Sequence, residues 1–315
     1  MQSKIRDAAL ELGYTDARPA SGHPFDVWQR RLQSTPLGQL LSFEHDPSKI
    51  SGWPLGEITI WAAVSPVPSI TDWPEDCGEF GGFYVVQQQR RERRVAWEDA
   101  AAALGYEVMR GAVLPERAAA IRAGLGVQGL NGLLISPDIG SFANITVMLV
   151  RAAPPPDARG SEYDVPPGCR GCKRCIKACP TGAISENGLN AVMCLRHYMN
   201  RLKDMPKEDY PKMGRRIMGC ESCQLVCPDN ADIKPEQPSD EMKDCMKLER
   251  LLEKPDIERL MKHYTGLDEN CLKSQAALAA ANMNRRDLLP LVEALTDSQD
   301  EMLLRTARWA AERLR

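Results

Sequence analysis

Cys169-x2-Cys172-x2-Cys175-x3-Cys179-Pro180, followed by Cys194 and then by Cys220-x2-Cys223-x3-Cys227-Pro228, takes up eight of the chain's eleven cysteines. Three close cysteines can hold three corners of an iron–sulfur cubane. The fourth corner faces away and needs a ligand from elsewhere in the chain. In runs of this spacing the fourth cysteine ligates the other cluster. The pattern therefore predicts two [4Fe–4S] clusters, one on Cys169, Cys172, Cys175 and Cys227, the other on Cys179, Cys194, Cys220 and Cys223. Each run ends in Cys-Pro, where proline stops the local turn from continuing as helix. Zinc ribbons use paired CxxC units instead, and disulfide frameworks belong to short secreted chains.

Around this segment, 315 residues suffice for two or three domains with a real core. The net charge of −3 gives no global signal for nucleic acid. The balance is uneven, however. Residues 166–230 carry 11 Lys/Arg against 6 Asp/Glu, and residues 231–315 carry 14 against 17. Two all-cysteine cubanes carry about −2 each when oxidised, so Lys173, Arg174, Lys177, Arg215 and Arg216 either offset that charge or form a docking patch for an acidic electron donor. No stretch reaches the ~18 consecutive apolar residues of a membrane span. The start of the chain shows no signal-peptide pattern, so a cytoplasmic protein with no membrane partner is expected.

Residues 1–152 read as an α/β domain. Ser3 to Gly13 is a helix pattern, Glu57 to Val64 a buried strand, and Phe83 to Leu104 a long helix whose Arg90–Arg94 charge run is expected on a solvated face. Val108 and Met109 start a strand, Ala118 to Ala123 is helical, and Ile145 to Val150 is a strand. Ala152 to Pro167 and Asp232 to Asp240 read as linkers. Between them lies the cluster domain, 166–230. From 241 to 315 the pattern is helical, with similar segments from Leu272 and Leu304 at an offset of 32 residues. That offset suggests either a HEAT-like repeat or a plain helical cap.

The segments Ala178-Cys-Pro-Thr-Gly-Ala-Ile184, Met193-Cys-Leu-Arg-His-Tyr198 and Arg215-Arg-Ile-Met-Gly-Cys-Glu-Ser-Cys-Gln-Leu-Val-Cys-Pro-Asp-Asn230 resemble epoxyqueuosine reductases. They also resemble the corrinoid reductive dehalogenases, which share this double-cluster module. Ala123-Gly-Leu-Gly-Val-Gln-Gly-Leu-Asn-Gly-Leu-Leu-Ile-Ser-Pro-Asp-Ile-Gly140 is similar to the segment before the clusters in both families, its second half nearer the dehalogenase form. The resemblance implies an α+β architecture. Its parts are an N-terminal nitroreductase-like α/β domain, a ferredoxin-like double-cluster domain and the helical tail. It also implies a cobalamin beside one cluster, with Gly126, Gln128, Gly129, Asn131 and Gly132 as the candidate cradle. Glycines there either let backbone approach a planar ligand or form a tight turn.

Counting back from Ala123, Glu116 and Arg117 align with the Glu-Arg that closes the family's Asp-Ser-Ala-Pro-Val-Leu-Glu-Arg segment. The position of its presumed proton-donating aspartate falls on Arg110. Arginine stays protonated at working pH and is a poor general acid. Arg110 and Glu116 are thus the catalytic candidates, with Arg110 expected to hold an anion. The expectation is a cobalamin-dependent reductase that takes electrons from a donor such as ferredoxin or flavodoxin and acts on an unknown electrophile. The alternatives are an electron-transfer protein serving a partner corrinoid protein, and an epoxyqueuosine reductase acting on tRNA. Tyr84, Tyr106, Tyr163, Tyr198 and His197 are further candidate acids, although His197, three residues from Cys194, is expected to hydrogen-bond near the second cluster rather than catalyse. Cys77 is a spare thiol or a ligand contact.

Overall fold

A run of unbroken apolar residues, Ile58 to Val64 apart from Thr59, must be buried on both faces, and it forms the middle of a sheet. The computed structural model describes residues 2–40, 44–156, 158–160, 169–199, 202–266 and 268–315. In it, four strands pair antiparallel in the spatial order Asp16–Ser21, Ile58–Pro66, Ala143–Arg151, Glu107–Met109. Side chains alternate across the pleat. Ile58, Ile60, Ala62 and Val64 join Ala118–Ile121 and Leu125 in one core. Trp61 and Ala63 join Ile5, Ala9, Tyr14 and Trp97 in the core on the other face. The edge strand Asp16–Ser21 gives no strand signal in the sequence. Its Pro19 is tolerated because an edge strand can do without a donor.

The helices Gln2–Glu11 and Glu116–Arg122 lie where the pattern put them. The long helix is broken at Val86 into Gly82–Val85 and Gln87–Ala103. Its charge run is not wholly solvated. Arg94 pairs with the buried Glu98 at 2.9 Å, and Arg90 pairs with Glu116 and donates to the Ile145 carbonyl.

The expected divisions 1–152, 166–230 and 241–315 do not correspond to separate cores. After Pro66 the chain leaves the sheet. Ser69–Ile70 pairs with Pro235–Glu236, and Glu79–Phe80 with Arg216–Met218, both parallel. Trp73, Phe80 and Tyr84 thereby enter one large core with Leu195, Tyr210 and Ile217 of the cluster segment and Leu248, Leu272 and Leu278 of the tail. Part of the second expected linker is therefore a strand. The first expected linker, together with Tyr163 and the start of the cluster domain, falls largely on residues outside those described. In the tail, Glu269–Asn282 packs against Glu301–Leu314. Each helix is capped by an aspartate, Asp268 and Asp300, 32 residues apart. Among the described residues no helix is long and apolar enough to cross a membrane.

Candidate functional site

Two short helices, Arg174–Ala178 and Ser222–Leu225, pack against each other and carry Cys175 and Cys223. Gly171 and Lys173 take left-handed backbone (φ 69° and 61°), turning the loop that holds Cys169 and Cys172 back onto the first helix. The structure brings Cys169, Cys172, Cys175 and Cys227 around one small cavity. Cys179, Cys194, Cys220 and Cys223 border a second one of about 350 Å³.

The electrostatics follow the same grouping. Burial, with the neighbouring thiols Cys169 and Cys172 adding, raises Cys175, while Cys172 and Cys175 contribute to raising Cys227. Burial raises Cys194, with Cys220 and Cys179 adding. Cys223 is pushed up to about 12 by burial, then by Cys220, Cys194, Cys175 and Cys179. Thiols so placed cannot ionise together without a cationic partner, which a metal cluster supplies. Each donor set is four cysteines, the ligand set of a [4Fe–4S] cubane. Thr181 Oγ1 lies 3.7 Å from Cys179 Sγ and Ser222 Oγ 3.6 Å from Cys220 Sγ. Against ligated sulfur these hydroxyls become donors, a contact that tunes cluster potential.

The glycine loop is a hairpin, Val127–Gln128 against Leu134–Ile135, and it packs on the first quartet. The Cys169 amide donates to the Gln128 carbonyl at 3.2 Å. The room beside its glycines is taken by protein. A β-carbon at Gly126 would overlap the Ile135 carbonyl, one at Gly129 the Asn131 side chain, and Gly132 (φ 77°) lies against Leu189. These positions serve the hairpin's own close packing and do not form an open cradle. Of Gly126, Gln128, Gly129, Asn131 and Gly132, only the buried Asn131 borders the larger cavity. Of the expected cradle, the structure thus brings Asn131 alone to that cavity.

The catalytic candidates are also displaced. Arg110 is exposed and pairs with the exposed Asp99 at 2.6 Å. Glu116 is held by Arg90. Neither borders the larger cavity. Cys77 is buried and its thiol donates to the Lys243 carbonyl at 3.3 Å, a structural role in the large core shared with the tail. Tyr106 lies in the N-terminal core, and the His197 amide donates to the Cys194 carbonyl.

What does line the larger cavity is Phe83, Tyr84, Phe142, Arg196 and Glu221 beside the second quartet. The Arg196 guanidinium lies over the Tyr84 ring at 4.8 Å. Glu221 accepts from the Gly82 amide at 2.8 Å. Burial and the nearby Glu79 push it up to about 7, against the pull of Gly82 and Arg216. Glu221 lies between Cys220 and Cys223, and Arg196 two residues after Cys194. Their closeness to the cluster ligands was the available signal, and sequence reasoning passed over it.

A polar clasp docks the cluster segment on the hairpin. Asn230 is buried. Its Oδ1 accepts from the Ser141 amide at 2.7 Å, and its Nδ2 donates to Ser141 Oγ and the Gln224 carbonyl. Gln224 in turn donates to the Ser141 carbonyl at 2.8 Å. Gly140 (φ 54°) lies beneath, and a β-carbon there would overlap Asn230. Gly140→Ala is therefore expected to destabilise the protein by roughly 2 kcal/mol or more, from the left-handed backbone plus the broken clasp. Thermal denaturation measures this, and an unchanged melting temperature removes the clasp's importance.

A family described as "4Fe-4S double cluster binding domain" matches residues 168–230. The chain is 33% identical to the epoxyqueuosine reductase of Staphylococcus aureus over 213 residues, 63% of this chain and 53% of that one. It is 31% identical to that of Lactococcus garvieae over 256 residues, 77% of this chain and 69% of that one. The match thus spans about half the length of the Staphylococcus relative. A solved epoxyqueuosine reductase with an epoxyqueuosine-modified tRNA stem loop shares the fold at a TM-score of 0.80 and 22% identity, covering 99% of this chain and 90% of that one.

Proposed function

Given that the chain belongs to the epoxyqueuosine reductase family, we propose that it is a double-cluster oxidoreductase that reduces an epoxyqueuosine-type nucleoside in tRNA. The observation that carries this reading is sequence identity running over three quarters of the chain, beyond the cysteine module alone. It replaces the expectation of a cobalamin-dependent reductase for an unrelated electrophile. The cavity favours a substrate of the chain's own over service to a partner corrinoid protein.

In this reading Cys169, Cys172, Cys175 and Cys227 hold one cluster, and Cys179, Cys194, Cys220 and Cys223 hold the other. The clusters supply single electrons at low potential. The rest falls to the chain. About 350 Å³ is the size of a small-ligand site. Phe83, 39% exposed, offers a face on which a base can stack, with the buried Tyr84 and Phe142 in the wall behind it. Arg196, already seated over Tyr84, presents a cation where the substrate's oxygens enter. Asn131 and Leu133 close the side toward the hairpin and exclude water.

The test is incubation of anaerobically reconstituted protein with an epoxyqueuosine-modified tRNA stem loop and dithionite, with and without added cobalamin, followed by mass analysis of the nucleosides. Conversion in either arm supports the proposal, whereas cluster-replete protein that converts nothing in both arms sinks it. Arg110→Ala should leave turnover within about twofold, because an exposed ion pair away from the cavity contributes little. A loss beyond tenfold returns Arg110 to the site.

A further inference from the structure

The five basic residues noted along the cluster segment divide into two sets. Arg215 is spent on the carbonyls of Trp73, Pro74 and Cys77, and Arg216 on Ser222 Oγ and the Met213 carbonyl. Those two are structural. Arg174 and Lys177 are exposed, lie one helical turn apart on Arg174–Ala178, and have no carboxylate partner among the described residues. Lys173 and Arg170 flank them, also exposed, paired with Glu186 and Asp229 at 2.5 and 3.1 Å. Arg174 and Lys177 line an open groove with Leu225, Val226, Pro228 and Cys227, a member of the first quartet. Cys172 of the same quartet is the one exposed thiol of the eight. Leu225 is 55% exposed and lines the same groove.

We propose that this face is the electron-entry dock, and that its occupant is a small acidic one-electron carrier protein. This rests on the two-cluster reading above. Cations that only offset cluster charge need no bare leucine among them. An apolar centre ringed by charge is the anatomy of a protein interface. Complementary charge steers a carrier to the quartet that reaches the surface. One electron passes per encounter. With the clusters in place, the carrier would be oxidised by one electron and the cluster on Cys169, Cys172, Cys175 and Cys227 reduced by one, the cluster on the quartet that borders the cavity being next in line. Two encounters supply the pair that a two-electron reduction consumes.

The test uses reconstituted full-length protein with reduced flavodoxin and, separately, reduced ferredoxin as probes. Arg174→Glu with Lys177→Glu should weaken binding of whichever carrier binds by on the order of tenfold or more at low ionic strength. It should slow carrier-driven cluster reduction in stopped flow alike, with iron content and reduction by dithionite unchanged. Arg308→Glu with Arg313→Glu, exposed on the C-terminal helix, should change neither. Leu225→Ser should weaken the salt-resistant part of binding. If neither carrier binds, or if the double reversal binds and is reduced like the parent, the dock is overturned. Dithionite-driven tRNA turnover, measured on the same samples, separates the two claims. Its absence alongside charge-sensitive carrier binding removes the substrate and keeps the dock. Its presence with charge-insensitive binding does the reverse.

Discussion

Cys194→Ala is expected to halve the iron content of reconstituted protein, from about eight to about four atoms per chain, and to abolish the nucleoside reduction proposed above. Cys194 comes from a segment of its own, between the two cysteine runs, and lies beside Cys179, Cys220 and Cys223. Without it, one cubane keeps three ligands and an open corner. The first quartet takes nothing from that segment, so its cluster should remain visible by EPR. Cys172→Ala is the complementary case, since Cys172 belongs to the other quartet and is exposed. It should remove the other cluster. Turnover should vanish in the Cys194 variant because the quartet it breaks borders the cavity. Retention of nearly full iron by Cys194→Ala, or zinc in place of iron, would refute the ligand partition.

Arg122→Met is expected to cost about 3–5 kcal/mol, since three hydrogen bonds from one buried charged donor are lost together. The Arg122 side chain is fully buried at the end of the helix Glu116–Arg122. Its guanidinium donates to the carbonyls of Ser21, His23 and Pro24 at 3.0, 2.6 and 3.1 Å and stacks on Phe25 at 3.8 Å. It thereby ties the chain leaving the edge strand to the helix that precedes the glycine hairpin. Methionine fills the space but leaves the buried Ser21 carbonyl, and the half-buried carbonyls of His23 and Pro24, without those donors. Arg122→Lys keeps the charge, yet a single ammonium cannot reproduce the planar fork, so its loss should fall between the two. Thermal melting of the three proteins orders them, and a methionine variant within about 1 kcal/mol of the parent defeats the argument.

Much of the chemistry was legible before any fold was known, because cluster ligands come in local runs. Spacing within Cys169–Cys179 and Cys220–Cys227 depends on a few turns of loop, which short-range geometry settles. The two central strands were legible for a similar reason. Ile58–Pro66 and Ala143–Arg151 are apolar on both faces, and only a strand covered on both sides buries them. The similar helices at an offset of 32 residues also announced themselves, while their aspartate caps were seen only in the structure.

Alignment placed Arg110 at a catalytic position, but which way a side chain faces depends on partners far away in sequence. Asp99 holds Arg110 outward, and Arg90 takes Glu116. The same loop glycines could have served a ligand or their own hairpin, and the Ile135 carbonyl and Asn131 decide for the hairpin. No periodicity announces that Arg122 turns inward, because its carbonyl partners lie about a hundred residues upstream. Nor does any announce that residues 69–84 leave the first sheet to pair with 216–218 and 235–236. The sequence by itself determined the cluster chemistry and the strands, where the controlling interactions are local or purely hydrophobic. The cavity, the clasp at Asn230 and the basic face were decided only by the tertiary structure, where polar groups find partners that long-range packing alone brings within reach.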